Sequence, residues 1–195
     1  MQNICVFCSS SDAIDEKYNE SAGKLADIFI EKKLTLINGG AKVGMMGIMS
    51  RKINKAKGKV IGIIPEVINN KQLACKNLTE LIVTKDMRSR KEKMSDLSDA
   101  FIALAGGFGT LEELMEVITL KQLEVHEKPI VILNTDNFYT KLIEQFEVFY
   151  ENNFTKSDYK NLYFIAGKPE EAIDYILNYD HSKLDSKWYK TNLNV

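Results

Sequence analysis

A glycine-rich turn, Gly106-Gly107-Phe108-Gly109-Thr110, follows a short apolar run and leads straight into Leu111-Glu112-Glu113. The first backbone N–H groups of a helix have no intrahelical partner, and they stand at the positive end of its dipole. Glycines at such a place let an anion approach the main chain, so the chemistry on offer is phosphate binding. The spacing is neither that of a dinucleotide fingerprint nor that of an NTPase loop. A second charged group, Arg88, Arg90, Lys91 and Lys93 in R-S-R-K-E-K, falls in the first turns of another helix behind Asp86. Cations there oppose the dipole at about 0.3–1 kcal/mol each when exposed. A solvated charged face and a seat for an anionic ligand both fit this run. Glu113 also has two readings, because Thr110 three residues before it makes T-L-E-E a capping box. Ser10, Cys5 and Cys8 carry possible nucleophiles, but no histidine lies near them in sequence, and core or turn roles fit them better.

Secondary structure must bring these groups together. Ala100–Leu104, five apolar residues ending at glycine, predicts a buried strand. Leu111, Leu114, Met115, Ile118 and Leu123 form the apolar stripe of the next helix, with Glu112, Glu116 and Lys121 off it. Earlier in the chain, strands are predicted at Ile4–Cys8, Leu34–Ile37, Lys59–Ile64 and Leu81–Thr84. Helices are predicted at Glu16–Lys32, from Gly44, and at Met87–Leu97, while Glu66–Asn77 looks irregular. Later come strands at Ile130–Leu133 and Leu162–Ile165, and helices at Phe138–Tyr150 and Pro169–Tyr179. Strands alternating with helices predict an α/β, Rossmann-like, doubly wound parallel sheet with helices on both faces. Ligands of such sheets lie beyond the carboxyl ends of the strands, at the switch in strand order. The turns Ser9–Ser11, Gly39-Gly40 and Gly106–Thr110 each follow a strand and should share that edge, which makes a phosphate-bearing small molecule the leading ligand class.

At 195 residues and 45% hydrophobic content, the chain fits one domain spanning 1–195 with a polar tail from 180. A net charge of −1 argues against a nucleic-acid or membrane-surface binder. Three cysteines and two histidines at no metal spacing read as reduced thiols without a metal site. No signal peptide and no apolar run of membrane-spanning length are evident, so a soluble cytoplasmic protein is expected.

Several of these segments together resemble the LONELY GUY (LOG) family, once labelled lysine decarboxylase-like. Ala105-Gly106-Gly107-Phe108-Gly109-Thr110-Leu111-Glu112-Glu113 is similar to P-G-G-x-G-T-x-x-E, and Asp86-Met87-Arg88-Ser89-Arg90-Lys91 to D-M-H-x-R-K. Val6-Phe7-Cys8-Ser9-Ser10-Ser11 resembles the opening V-F-C-G-S-S. Asn38 through Gly47 resembles Y-G-G-G-x-V-G-L-M-G, and Asp99–Leu104, His126–Pro129 and Leu133-Asn134 match D-A-F-I-A-L, H-x-K-P and L-N. The resemblance implies a cytokinin riboside 5′-monophosphate phosphoribohydrolase or a related nucleotide hydrolase, with Arg90 and Glu113 catalytic. It places nucleotide contacts on Lys91, on Gly107 through Glu113 and on Thr119, and it implies a homodimer. Met45, Met46 and Met115, more apolar residues than one core face needs, lend the dimer weak support. Gly106, Gly39, Gly40 and Ser10 complete the expected substrate-binding set from the shared sheet edge.

Departures from the pattern are Ala105 for proline, Arg88 for histidine, Leu120-Lys121 for tryptophan-alanine and Gln72 for a glutamate. They touch base specificity more than the reaction. Cleaving an N-glycosidic bond passes through an oxocarbenium-like sugar. A carboxylate at Glu113 can stabilise that cation and activate water, whereas Arg90 stays charged and can only hydrogen-bond or hold Glu113 ionised. Neither a metal nor an organic cofactor is called for. The alternative is a non-catalytic carrier or sensor of a nucleotide or of a pterin phosphate such as the molybdenum cofactor.

Overall fold

The computed structural model describes residues 2–71, 73–75 and 78–180. Among these, seven parallel strands form one sheet in the order β4-β3-β2-β1-β5-β6-β7. The strands are β1 (Asn3–Phe7), β2 (Thr35–Asn38), β3 (Val60–Pro65), β4 (Glu80–Thr84), β5 (Ala100–Ala103), β6 (Ile130–Leu133) and β7 (Phe164–Ala166). Between them run α1 (Glu16–Glu31), α2 (Gly44–Lys55), the single turn α3 (Glu66–Asn69), α4 (Met87–Leu97), α5 (Phe108–Gln122) and α6 (Thr140–Glu151). The last helix is α7 (Pro169–Leu177).

The five inner strands β3, β2, β1, β5 and β6 are buried along their length apart from the half-buried Asn3 at the start of β1, as continuous apolar runs require when both faces are covered. Alternate residues feed two cores. Ile4, Val6, Leu36, Ile102, Val131 and Leu133 pack against α1, α2 and α7 through Leu25, Phe29, Met49 and Ile173. Cys5, Phe7, Ile37, Ile63, Phe101 and Ile132 pack against α4, α5 and α6 through Met94, Leu114, Ile118 and Phe146. Strand order reverses between β1 and β5. The chain leaves β1 toward α1 on one face and leaves β5 toward α5 on the other, so the crevice opens between these two exits.

Most strands fall where the apolar runs predict them, and the differences have local causes. β7 lies at Phe164–Ala166 because Leu162 belongs to a 3₁₀ turn over Ser157–Leu162. Within Glu66–Asn77 the chain makes α3 and an antiparallel bridge between Ala41 and Ala74. Met45 is 1% exposed and belongs to the core, so it is no surplus apolar surface. Lys121, expected off the buried stripe, is 3% exposed. Its ammonium reaches the Tyr179 hydroxyl at 2.9 Å and lies over that ring, while its stem is buried. Gln72 and the tail 181–195, with Trp188, lie outside the described residues.

Candidate active site

The expected capping box does not form. α5 starts at Phe108, two residues before the predicted N-cap, so Thr110 stands inside the helix and Gly107 takes the N-cap position with no side-chain cap. The first intrahelical bond runs from Leu111 N–H to Gly107 C=O at 3.0 Å. The N–H groups of the Gly107–Thr110 stretch are therefore the ones a helix start leaves for a ligand. Gly106 is needed because a Cβ there would collide with the Thr110 side chain that folds back over it. Gly107 and Gly109 are different. Neither has a positive φ, and a Cβ at either would meet no protein atom within 4 Å. Nothing in the fold asks for glycine at those two positions, and open space lies in front of them.

Glu113, freed from capping, forms a buried ion pair with Arg90 of α4, Nη1 to Oε1 at 2.7 Å. The two residues are 7% and 6% exposed. Arg90 Nε also donates to the carbonyl oxygen of Ile63 in β3 at 3.0 Å, which fixes the guanidinium plane. Gly39 at the end of β2 makes room for it, since a Cβ there would fall on Arg90 Nη2. Burial raises the Glu113 carboxyl above its ordinary value of 4.5, against the opposing pull of the Arg90 charge and hydrogen bond. Gly39→Ala should push the guanidinium off Glu113 and destabilise the protein by about 1–3 kcal/mol, as overpacking does. A thermal melt reads that loss.

The α4 cations are thus matched partly by protein. Asp86 caps the helix, accepting from Ser89 N–H at 2.8 Å, and that bond lowers the Asp86 carboxyl below its ordinary value. Lys91 pairs with Glu112 and, at 2.9 Å, with Glu116. Arg90 and Lys91 are thus balanced by carboxylates of α5, so the run by itself does not decide between a charged face and a seat for an anion.

A cavity of about 390 Å³ opens at the sheet edge. Ser9, Ser10, Ser11, Gly39, Arg90, Gly107, Gly109, Thr110, Glu112 and Glu113 line it, so the three expected turns do meet there. Gly40 lies outside this lining. Its φ of +70° and its approach to Gly62 and Ile63 give it a packing role. Phe108 is 93% exposed, Leu111 packs into the core, and the exposed Thr119 lines neither this cavity nor its neighbour. The neighbour, about 430 Å³, is a groove between α4 and α5 that holds Arg88, Lys91 and Glu116 and shares Glu113.

Two features escaped sequence reasoning. The far wall of the central cavity is apolar, made by Val43, Met46, Ile64, Ile68, Leu73 and Met87. These positions come from four separate segments, and no single periodicity marks them. The other is Asp12, whose Oδ1 accepts the Gly44 N–H at 2.8 Å and so occupies the start of α2. Gly44 has φ +59°, and a Cβ there would sit 2.6 Å from the Ser9 carbonyl oxygen. At this crevice the protein fills the α2 start with its own carboxylate and leaves the α5 start without a side-chain cap.

The model of a family described as possible lysine decarboxylase matches residues 46–176. Cytokinin riboside 5′-monophosphate phosphoribohydrolase LOG5 of Arabidopsis thaliana is 37% identical over 91% of this chain and 78% of its own. The chain belongs to this family, the LOG proteins. A rice relative (Oryza sativa subsp. japonica), probable cytokinin riboside 5′-monophosphate phosphoribohydrolase LOGL2, is 36% identical over 95% of this chain and 77% of its own. Among solved structures, the molybdenum cofactor binding protein of the phototrophic bacterium Rippkaea orientalis is similar at 28% identity and TM-score 0.68, covering 90% of this chain and 95% of that one. The decarboxylase description finds little support in the site of this LOG protein. Lys121, the buried lysine among the described residues, is engaged by Tyr179 and lines neither cavity.

Proposed function

We propose that the protein hydrolyses the N-glycosidic bond of an adenine or N6-substituted adenine nucleoside 5′-monophosphate, giving the free base and ribose 5-phosphate, a cytokinin-activating type of reaction. The observation that carries this reading is the buried Arg90–Glu113 pair facing the same cavity as the uncapped start of α5. The names of the LOG relatives, 36–37% identical over most of the chain, support it.

In this mechanism the 5′-phosphate sits on the N–H groups of Gly107–Thr110, where the helix dipole favours it. That anchor holds the ribose over Glu113. As the C1′–N9 bond breaks, its electron pair leaves with the base and positive charge develops on the sugar. The Glu113 carboxylate stabilises that charge, then takes a proton from the water that attacks C1′. The departing purine anion takes a proton from solvent and Glu113 returns its own to solvent, so the base leaves neutral and the carboxylate is restored. Arg90 keeps Glu113 oriented and donates toward the departing base or phosphate, but it does not protonate the base. Lys91 orients Glu112 at the rim through their ion pair. The apolar wall receives the base and any N6 substituent. The reaction runs on these side chains, on a nucleotide of the cytoplasm, in a homodimer. The exposed Leu123 and Val125 just beyond α5 offer apolar side chains to a second copy.

AMP incubated with the protein should yield adenine and ribose 5-phosphate in equal amounts, and adenosine should be cleaved far more slowly. Equal rates on the two would remove the phosphate anchor from the mechanism. Light scattering should give twice the mass of the 22.2 kDa chain. A second reading, a carrier of a phosphorylated pterin, is favoured by the Rippkaea orientalis likeness. The same incubation separates the two, because a carrier retains its ligand unchanged.

A further inference from the structure

The two residues that lead into the glycine turn are held from three sides. Leu104 N–H donates to the Phe7 carbonyl oxygen at 2.9 Å, and Ser9 N–H donates to the Ala105 carbonyl oxygen at 3.3 Å. Both bonds tie the turn to β1. The third comes from elsewhere: the Tyr139 hydroxyl donates to the Leu104 carbonyl oxygen at 2.8 Å. Tyr139 is 2% exposed, so this bond is shielded from water. One buried hydroxyl therefore grips the main chain immediately before Ala105.

Tyr139 is itself held firmly. Its own N–H donates to Asn134 Oδ1 at 2.6 Å, and Asn134 N–H donates to the Ala166 carbonyl oxygen of β7 at 2.8 Å. Between them Asp136 and Asn137 adopt left-handed backbone, φ 52° and 60°, which closes the turn tightly enough to aim the ring inward. The Phe138 ring stands edge-on against Tyr139 at 4.8 Å. A chain of contacts thus runs from β7 through Asn134 and Tyr139 to Leu104, two residues before Gly106.

We propose that Tyr139 is a positioning residue for the phosphate-binding turn: its hydroxyl fixes the Leu104–Gly106 main chain so that the Gly107–Thr110 N–H groups converge on one phosphate. This rests on the reading of that turn as the phosphate anchor. The hydroxyl lines neither cavity and acts through the backbone, without touching substrate. A glycine turn carries little rigidity of its own, and the residue before it is Ala105, without the fixed φ that a proline would bring. Rigidity supplied from outside the turn then matters more.

Tyr139→Phe keeps the ring and removes only the hydroxyl. Ribose 5-phosphate affinity, measured by calorimetry, should fall about 10- to 10²-fold, the scale of a displaced anchor. kcat/KM for AMP should fall with it through KM as well as kcat, while the slow cleavage of adenosine stays unchanged. A merely structural hydroxyl would lower the melting temperature and leave the AMP-to-adenosine preference intact, which overturns the proposal. Should Tyr139→Phe fail to fold, Asn134→Ala releases the Tyr139 N–H with the hydroxyl present and should show a smaller loss of the same kind. Unchanged ribose 5-phosphate affinity in Asn134→Ala would then overturn it. If the wild-type protein binds ribose 5-phosphate more tightly than Tyr139→Phe yet cleaves no AMP, the strut stands and the hydrolase reading falls. Equal binding in an active enzyme means the reverse.

Discussion

Glu113→Gln should give a protein that folds as well as the wild type and does not turn over AMP. kcat should drop about 10²–10⁴-fold, the worth of a positioned acid–base group. The stability half of this prediction follows from burial. Glutamine keeps an oxygen to accept from Arg90 Nη1, and it stands in for the protonated acid. Burial raises the Glu113 carboxyl above 4.5 in spite of Arg90, so the fold favours the uncharged form relative to the unfolded chain. The stability this group contributes is therefore greatest below pH 4.5 and is lost as pH rises through the raised value. At neutral pH the neutral variant should be no less stable. Catalysis has the opposite requirement, an ionised carboxylate, so the acid limb of kcat/KM for AMP should lie above the ordinary glutamate range. Arg90→Ala breaks the same pair from the other side. It strands a buried carboxylate, costing about 3–5 kcal/mol at pH 7 and less in acid, where Glu113 takes up a proton. Melting curves of the two variants between pH 5 and pH 8, with AMP assays beside them, check this asymmetry. A Glu113→Gln protein that remained active would move the catalytic carboxylate elsewhere, with Glu112 and Glu116 the neighbours to try.

Gly109→Val should abolish AMP hydrolysis and leave the fold untouched. The residue lies in the first turn of α5 without a positive φ, and its missing Cβ would meet no protein atom within 4 Å. Valine is a better helix former than glycine by a few tenths of a kcal/mol, so the melting temperature should hold or rise slightly. The space the side chain fills is the approach to the helix start. kcat/KM for AMP should fall by about 10²-fold or more as the phosphate is displaced. Adenosine, which has no phosphate to seat, should be cleaved at its former slow rate. Gly106→Val offers the contrast: its Cβ collides with Thr110, so it should unfold the turn as well as inactivate it.

Much of this architecture can be read from the chain before any coordinates. Runs such as Ile4–Phe7 and Ala100–Ala103 are buried on both faces, and continuous apolar residues of strand length between turns and helices announce that. The three turns at the sheet edge are legible because each follows such a run directly. Less legible is anything that depends on which helix packs beside which. Glu113 reads as a cap because Thr110 stands three residues before it, a local pattern with a local explanation. What wins is a partner 23 residues away on another helix, and only the fold brings it to 2.7 Å. Lys121 looks like a solvent-facing lysine because Tyr179, which covers it, lies 58 residues further on. Tyr139 carries no local mark at all, since its purpose lies in a carbonyl 35 residues back.

The strand order has a consequence for how the protein is made. β1 is made before the six other strands of its sheet, yet it is the middle of that sheet, with β2 on one side and β5 on the other. Ile4 pairs with Ala100, and Asn3 with Asp99 across 96 residues, so one side of β1 stays unpartnered while that stretch is made. At about 5–20 residues per second that wait lasts roughly 5–20 s. Through it an apolar strand edge is open to other nascent chains, a hazard inherent in parallel sheets. The serine turn that follows β1 meets Gly44 early, but its bond to the Ala105 carbonyl must wait until β5 arrives. Ribosome-stalled chains cut before Ala100 should therefore be protease-sensitive throughout the Ile4–Phe7 segment, and chains released beyond β6 should not.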